Sequence, residues 1–118
     1  MHIDHITIRT DKLDGSVDFY EKVAGLRIVR DLRKIDAQIV FLADADGDTR
    51  IELIQVPEGE GYCGSGISIG FHTNDAAGLR EELLKDGFRA SEIISPNPSV
   101  RFFFVWDPNG VQIQFVEQ

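Results

Sequence analysis

One order of elements occurs twice in this chain. A strand–helix–strand–strand–strand succession is read over residues 3–56 and again over residues 66–117. From Ile3 to Thr10 the residues alternate, with Ile6 and Ile8 on one face and His5, Thr7 and Arg9 on the other, as in a half-buried strand. Ser16 is the expected helix cap, Val17, Tyr20, Val23 and Ala24 form one apolar stripe, and Gly25 is the stop. Strands are expected over 26–32, 37–42 and 49–56, with Asp44 to Asp48 as a hairpin loop. Pro57 to Ser65 is glycine-rich and has no periodicity, so it reads as a linker. A strand over 66–73 follows, then a helix over 76–86 capped by Asn74-Asp75 and ended by Gly87. Strands near 88–94, 101–106 and 111–117 complete the second copy, with Asp107-Pro108-Asn109-Gly110 as the turn before the last.

The two copies superpose in sequence. A shift of 62 lays Gly25-Leu26-Arg27 on Gly87-Phe88-Arg89 and Arg50 to Gln55 on Gln112 to Glu117. The first strands need a shift of 63, which lays His5 on Ser68. Each copy is too small to bury its own sheet well, so the expectation is one domain, 1–118, built of modules 1–57 and 66–118 joined by a linker over 58–65. Hydrophobic residues at 42% suit a globular core. Twelve basic and 20 acidic residues give a formal charge of −8, which opposes nucleic acid and anionic membrane surfaces as partners. Cys63 is the one cysteine and has no internal disulfide partner. With a strand-like start at Met1-His2-Ile3-Asp4-His5 in place of a signal peptide, a reducing, cytoplasmic setting is expected.

Two βαβββ modules with these local sequences resemble the vicinal oxygen chelate superfamily, which includes glyoxalase I, bleomycin-resistance proteins and extradiol dioxygenases. The residues that carry the likeness are Asp4-His5-Ile6, the Ser16-to-Tyr20 helix with Gly25-Leu26, Ile51-Glu52-Leu53, and Asp107-Pro108-Asn109-Gly110. The resemblance spans essentially the whole chain. It implies an α+β fold in which the modules form a cupped, mostly antiparallel sheet with helices outside. It also implies function inside the cup and pairing into a homodimer.

Glu52 stands out from the residues alone. It is a carboxylate in an otherwise apolar strand, and such a group needs a cation, a hydrogen-bond partner or solvent. Alternation turns Ile51 and Leu53 toward the helix and Glu52 the other way. By resemblance, His5, Glu52, Ser68 and Gln114 occupy the family's four metal-ligand positions. His5 and Glu52 match the usual donors; Gln114 offers a neutral amide oxygen and Ser68 a weak hydroxyl where His is usual. The implied set is therefore His5, Glu52 and Gln114 around a divalent ion (Ni, Co, Zn, Mn or Mg), with Ser68 on the pocket wall. His72 shares the face of Ser68 but lies roughly 13 Å farther along an extended strand, so it is read as a substrate contact. Arg9, two residues from His5 on the same face, suits a substrate carboxylate.

In the run Arg101 to Trp106 both faces are bulky. Phe102, Phe104 and Trp106 form one set and Phe103 with Val105 the other, and alternation does not say which meets the helix. The former set is expected to touch substrate. The resemblance then implies a glyoxalase-I-like lyase or isomerase in which the metal chelates two neighbouring oxygens and stabilises an enediolate, with Glu52 as base. The alternative is a metal-free small-molecule binding protein, similar to antibiotic-sequestering members, that uses the same cup.

Overall fold

The computed structural model describes residues 1–118 and divides into two compact units, Met1–Cys63 and Gly64–Gln118. The boundary falls inside the glycine-rich segment. In the first unit the order is β1 (His5–Thr10), α1 (Leu13–Lys22), β2 (Arg27–Asp31), a short 3-10 turn (Arg33–Ile35), β3 (Ile39–Ala43) and β4 (Arg50–Gln55). The second holds β5 (Ser68–His72), α2 (Ala76–Lys85), β6 (Ile94–Asn97), β7 (Val100–Trp106) and β8 (Gln112–Glu117). Strand order is β1-β4-β3-β2 in one sheet and β5-β8-β7-β6 in the other. The β1–β4 and β5–β8 pairs are parallel and all others antiparallel, so each unit is a βαβββ module of an α+β fold. No helix is long and apolar enough to cross a membrane.

Alternation decides what each sheet buries. In the first unit Ile8, Val40, Leu42, Ile51 and Leu53 are buried with Leu13, Val17 and Tyr20 of α1, which packs on β2, β3 and β4. In the second, α2 packs on β7 and β8, where Phe103, Val105, Ile113 and Phe115 are buried. Phe103 and Val105 have no exposed surface, which leaves Phe102, Phe104 and Trp106 on the face away from α2. At roughly 25 cal/mol per Å² of apolar surface removed from water, these stripes hold each helix to its sheet.

Two local expectations are corrected. Ser16 does not cap a helix: α1 begins at Leu13, and Ser16 is fully buried within it, its Oγ 3.2 Å from Thr10 Oγ1. The strand expected over 88–94 is displaced to Ile94–Asn97, with only an isolated bridge between Ala90 and Val105 upstream. There the Ser91 hydroxyl accepts the Phe104 N–H at 2.8 Å, and Arg80 Nε donates to the Ser91 carbonyl at 2.7 Å. Side chains thus take bonds that a regular ladder would have used. Asp75 does cap α2, accepting from Gly78 N–H at 3.0 Å, and the left-handed φ of +70° at Gly25 and +88° at Gly87 follows each helix.

Both helix N-termini also receive a side chain from the last strand of their module. Gln55 Oε1, at the end of β4, accepts the Leu13 N–H at 2.9 Å, and Glu117 Oε1, at the end of β8, accepts the Ala76 N–H at 2.8 Å. These are equivalent positions of the repeat. Each ties an otherwise unpaired helix N–H to the last strand of its own module. The glycine-rich segment is also anchored at its start. Tyr62 N–H donates to the Arg9 carbonyl at 2.8 Å, and Gly59 N–H to Asp11 Oδ2 at 3.0 Å. A Cβ on Gly61 would stand 3.0 Å from Asp11 N and 3.2 Å from the Arg9 carbonyl oxygen, so the segment lies flush along β1.

Because Gln55 performs in the first unit what Glu117 performs in the second, Glu117→Gln should retain the cap. Glu117→Ala should destabilise the chain by about 1 kcal/mol in urea unfolding, the usual effect of losing a cap.

Candidate functional site

The face of the first sheet away from α1 carries His5, Thr7 and Arg9 on β1, Arg50, Glu52 and Ile54 on β4, and Phe41 on β3. Parallel pairing sets His5 opposite Arg50, Thr7 opposite Glu52 and Arg9 opposite Ile54, while antiparallel pairing sets Phe41 opposite Glu52. Glu52 keeps only 14% of its side-chain exposure among these neighbours.

Two groups meet that carboxylate. Thr7 Oγ1 donates to Glu52 Oε1 at 2.5 Å, and His5 Nε2 lies 3.5 Å from the same oxygen. The other imidazole nitrogen is already engaged, with His5 Nδ1 2.7 Å from Asp4 Oδ2. Asp4 Oδ2 in turn accepts from Arg50 Nη2 at 2.6 Å. Arg50 lies over the Phe41 ring, 4.7 Å from its centroid, and the His5 ring meets Phe41 edge-on at 6.2 Å. A chain of contacts thus runs Arg50–Asp4–His5–Glu52–Thr7 across two strands and the residue preceding them.

The order of donors and acceptors along that chain sets its chemistry. An ionised Asp4 accepts a hydrogen bond, so Nδ1 carries the imidazole proton. In the neutral ring Nε2 is then a bare lone pair facing a carboxylate oxygen. With the His5 ring partly exposed, a proton, a metal ion or water can stand between the two atoms.

The residues pass the test for a metal as far as one module can supply ligands. Metal–nitrogen and metal–oxygen bonds of about 2.0–2.2 Å at tetrahedral or right angles put two ligand atoms about 3–3.5 Å apart. His5 Nε2 and Glu52 Oε1, at 3.5 Å, sit near the upper end of that spacing. Asp4 on Nδ1 is the outer carboxylate that commonly orients a ligating imidazole. No group of three or more His, Cys, Asp or Glu side chains comes together.

The second module answers position by position. Gly70 and Phe104 flank Gln114 in the sheet, and Ser68 and Trp106 flank Gln112. Ser68, Gly70 and His72 are exposed on one face of β5, in line with the expected side chains. Gln114 is half-buried, and a Cβ on Gly70 would reach its Oε1 at 3.4 Å. Phe102 and Phe104 meet edge-on at 5.6 Å, and Arg89 lies 4.5 Å over the Trp106 ring. The structure therefore joins His5 to Glu52 directly, leaves Arg9 exposed on their sheet, and sets Gln114, Ser68, His72, Phe102, Phe104 and Trp106 on the corresponding face of the other sheet.

Sequence reading missed Thr7 as a partner of Glu52, although its face was assigned correctly. Asp4 was visible only as a neighbour of His5. Nothing in the sequence signalled Arg50, because its contact with Asp4 depends on the β1–β4 register.

The fold and the site face together point to one class of protein. Residues 2–115 match the Glyoxalase/Bleomycin resistance protein/Dioxygenase superfamily, and the chain belongs to it. Among its relatives, the uncharacterised protein YwbC of Bacillus subtilis is 30% identical over 122 residues, covering 98% of this chain and 97% of its own length. A lactoylglutathione lyase of Haemophilus influenzae is 28% identical over 129 residues, covering 99% of this chain and 93% of its own. The trypanothione-dependent glyoxalase I of Leishmania major shares the fold with a TM-score of 0.81 at 23% identity, over 99% of this chain and 86% of that one.

Hydrogen bonds with His5, and next from Arg50, hold the Asp4 carboxyl below the ordinary value of 3.8. A lowered pKa means that the fold favours the ionised form. That contribution is complete above the ordinary value and is lost as pH falls through the lowered one. In a carboxyl NMR titration Asp4 should have its midpoint below 3.8. His5→Ala should raise it most, and Arg50→Gln by less.

Proposed function

We propose that the protein is a glyoxalase-I-like small-molecule lyase or isomerase that holds a divalent ion at His5 and Glu52, with Gln114 as a further, neutral ligand. The observation that carries this reading is the meeting of His5 Nε2 and Glu52 Oε1 at 3.5 Å while Nδ1 is held by Asp4. Family members include glyoxalase I enzymes, and the lactoylglutathione lyase relative supports this choice of chemistry. A bound ion would supply Lewis-acid polarisation of two neighbouring substrate oxygens.

The chain's own groups do the rest. Asp4 fixes the His5 ring so that Nε2 faces the site. Thr7 holds one oxygen of Glu52 and leaves the second to act. Glu52 takes a proton from the carbon beside a substrate carbonyl and returns it to the neighbouring carbon, so the isomerisation consumes no proton overall. Arg9 faces the same side for a substrate carboxylate, and Phe102, Phe104, Trp106, Ser68 and His72 form the substrate-facing wall in the second module. The family supports a homodimer, and the exposed, unpaired Cys63 supports a reducing, cytoplasmic setting.

Ser68 and Gln114 favour a second reading. Both are uncharged where stronger ligands are usual, and in a metal-free binding protein a proton shared between His5 and Glu52 would satisfy the pair.

Elemental analysis separates the two. Protein purified without chelators should carry a stoichiometric divalent ion, and adding Ni, Co, Mn or Zn to stripped protein should raise its melting temperature. Ligand at 100 times its Kd adds about 2.7 kcal/mol of stability. Glu52→Gln should weaken metal uptake at least about tenfold, since a charged ligand becomes neutral. It should also abolish turnover of the methylglyoxal–glutathione adduct. Absence of metal, with no thermal response to any of the four ions, would leave the binding-protein reading standing.

A further inference from the structure

The second strand contains an irregularity that the metal-binding pair does not use. Along β2 and β3, Arg27 pairs with Ala43, Ile28 with Leu42 and Arg30 with Phe41, so Val29 is an extra residue without a partner. Without this bulge, strict alternation would turn Arg30 to the opposite face from Phe41. With it, Arg30 lies on the face of Phe41, Glu52 and His5. Bulges beside functional sites commonly re-aim a side chain in this way.

The re-aimed arginine meets a cleft of about 190 Å³, lined by Val29, Arg30, Ala43, Ala45, Asp46, Gly47 and Arg50. The two arginines differ in state. Arg50 is committed to Asp4 and to the Phe41 ring. Arg30 has no hydrogen-bond, ion-pair or ring partner. The one acid in the lining, Asp46, has its Oδ1 3.4 Å from Arg27 Nη2, while Arg27 Nε donates to the Asp44 carbonyl at 3.2 Å. Two arginines with one already balanced acid therefore border the cleft, in a chain of formal charge −8. At about 30 Å³ per water, its volume admits a group of a few heavy atoms and not a whole drug-sized ligand.

We propose that this cleft is a subsite for a carboxylate group of the substrate, gripped by Arg30 with Arg50 beside it. A planar guanidinium offers paired donors matched to a carboxylate. Arg50 also gives the subsite a path to the chemistry, since its Nη2 holds Asp4 and Asp4 holds His5. A carboxylate bound here adds a second anion to Arg50 without displacing the first. The substrate class is thus an anionic one, with its charged end at the β2 side of the sheet and its reacting end toward Glu52. This inference rests on the proposed reading of that face as the substrate face.

The test uses the full chain, stripped of metal so that chelation plays no part, in a ¹H–¹⁵N NMR titration with malonate at low salt. Saturable shifts are expected at Val29, Arg30, Ala45, Gly47 and Arg50, weakening as salt is added. Malonamide, the uncharged counterpart, should produce none. Arg30→Gln should weaken malonate binding about tenfold, and Arg30→Lys should restore part of it. Arg101→Gln, at an exposed arginine of the second unit, should leave it unchanged. Equal shifts with malonamide, binding that survives Arg30→Gln, or shifts centred on Arg9 would each overturn the proposal. If Arg30→Gln fails to fold, the malonate–malonamide comparison on the parent chain and the Arg30→Lys variant decide. Metal uptake by Arg30→Gln should match that of the parent chain, so loss of the subsite and loss of the metal reading register separately.

Discussion

Parallel pairing of the first strand of each unit with its last organises nearly everything else here. β1 and β4 are separated in sequence by a helix and two other strands, yet they lie side by side with Thr7 opposite Glu52. That register alone brings His5 within reach of the Glu52 carboxylate and sets Arg50 where it can hold Asp4. The same pairing carries Gln55 to the start of α1, and its counterpart β5–β8 carries Glu117 to the start of α2. One topological choice therefore seats the helix on one face and assembles the polar groups on the other. The helix side is held by burial of apolar area, which is not directional, and the opposite side by contacts that are.

The two faces differ in character, one apolar and packed on the helix, the other polar. Leu53 and Val40 have no exposed surface, while Glu52, between Leu53 and Ile51, keeps a little and uses it to meet His5 and Thr7. A carboxylate there is tolerated because one hydroxyl donates to it and the sheet face stays partly wet. Its other near neighbour is Nε2 of His5, 3.5 Å away. That 3.5 Å approach is the geometry on which the proposed metal reading rests, with Asp4 bonded to the other ring nitrogen. The bulge at Val29 shows the same logic on β2, where a regular ladder gives way to a guanidinium on the face of Phe41 and Glu52.

Much of this was legible beforehand, and the reasons are particular. His5, Thr7 and Arg9 were assigned to one face because strand alternation has a period of two, and β1 obeys it. Glu52 was conspicuous because charge is rare in an apolar strand. The equivalence of Gln55 and Glu117 was visible as a repeat, but their role as caps was not, because a helix end 41 or 42 residues away leaves no local mark. Ser16 misled because a small hydroxyl side chain serves equally as a cap or as a buried partner for Thr10. The strand near 88–94 failed because Ser91 bonds to the backbone of β7, a competition that hydropathy does not register.

What the sequence determined by itself is the two-module plan and the carboxylate out of place within it, since both follow from periodicity and composition along a single strand or helix. What only the tertiary structure decided is which of those residues meet: Asp4 with Arg50, Thr7 with Glu52, Arg30 with the cleft beside Arg50. It also decided that Phe103 and Val105, not their neighbours, enter the core. The physical reason is the same in each case. Alternation assigns a side chain to a face, but register, bulges and the helix packed against that face decide its neighbours, and these depend on segments distant in the chain.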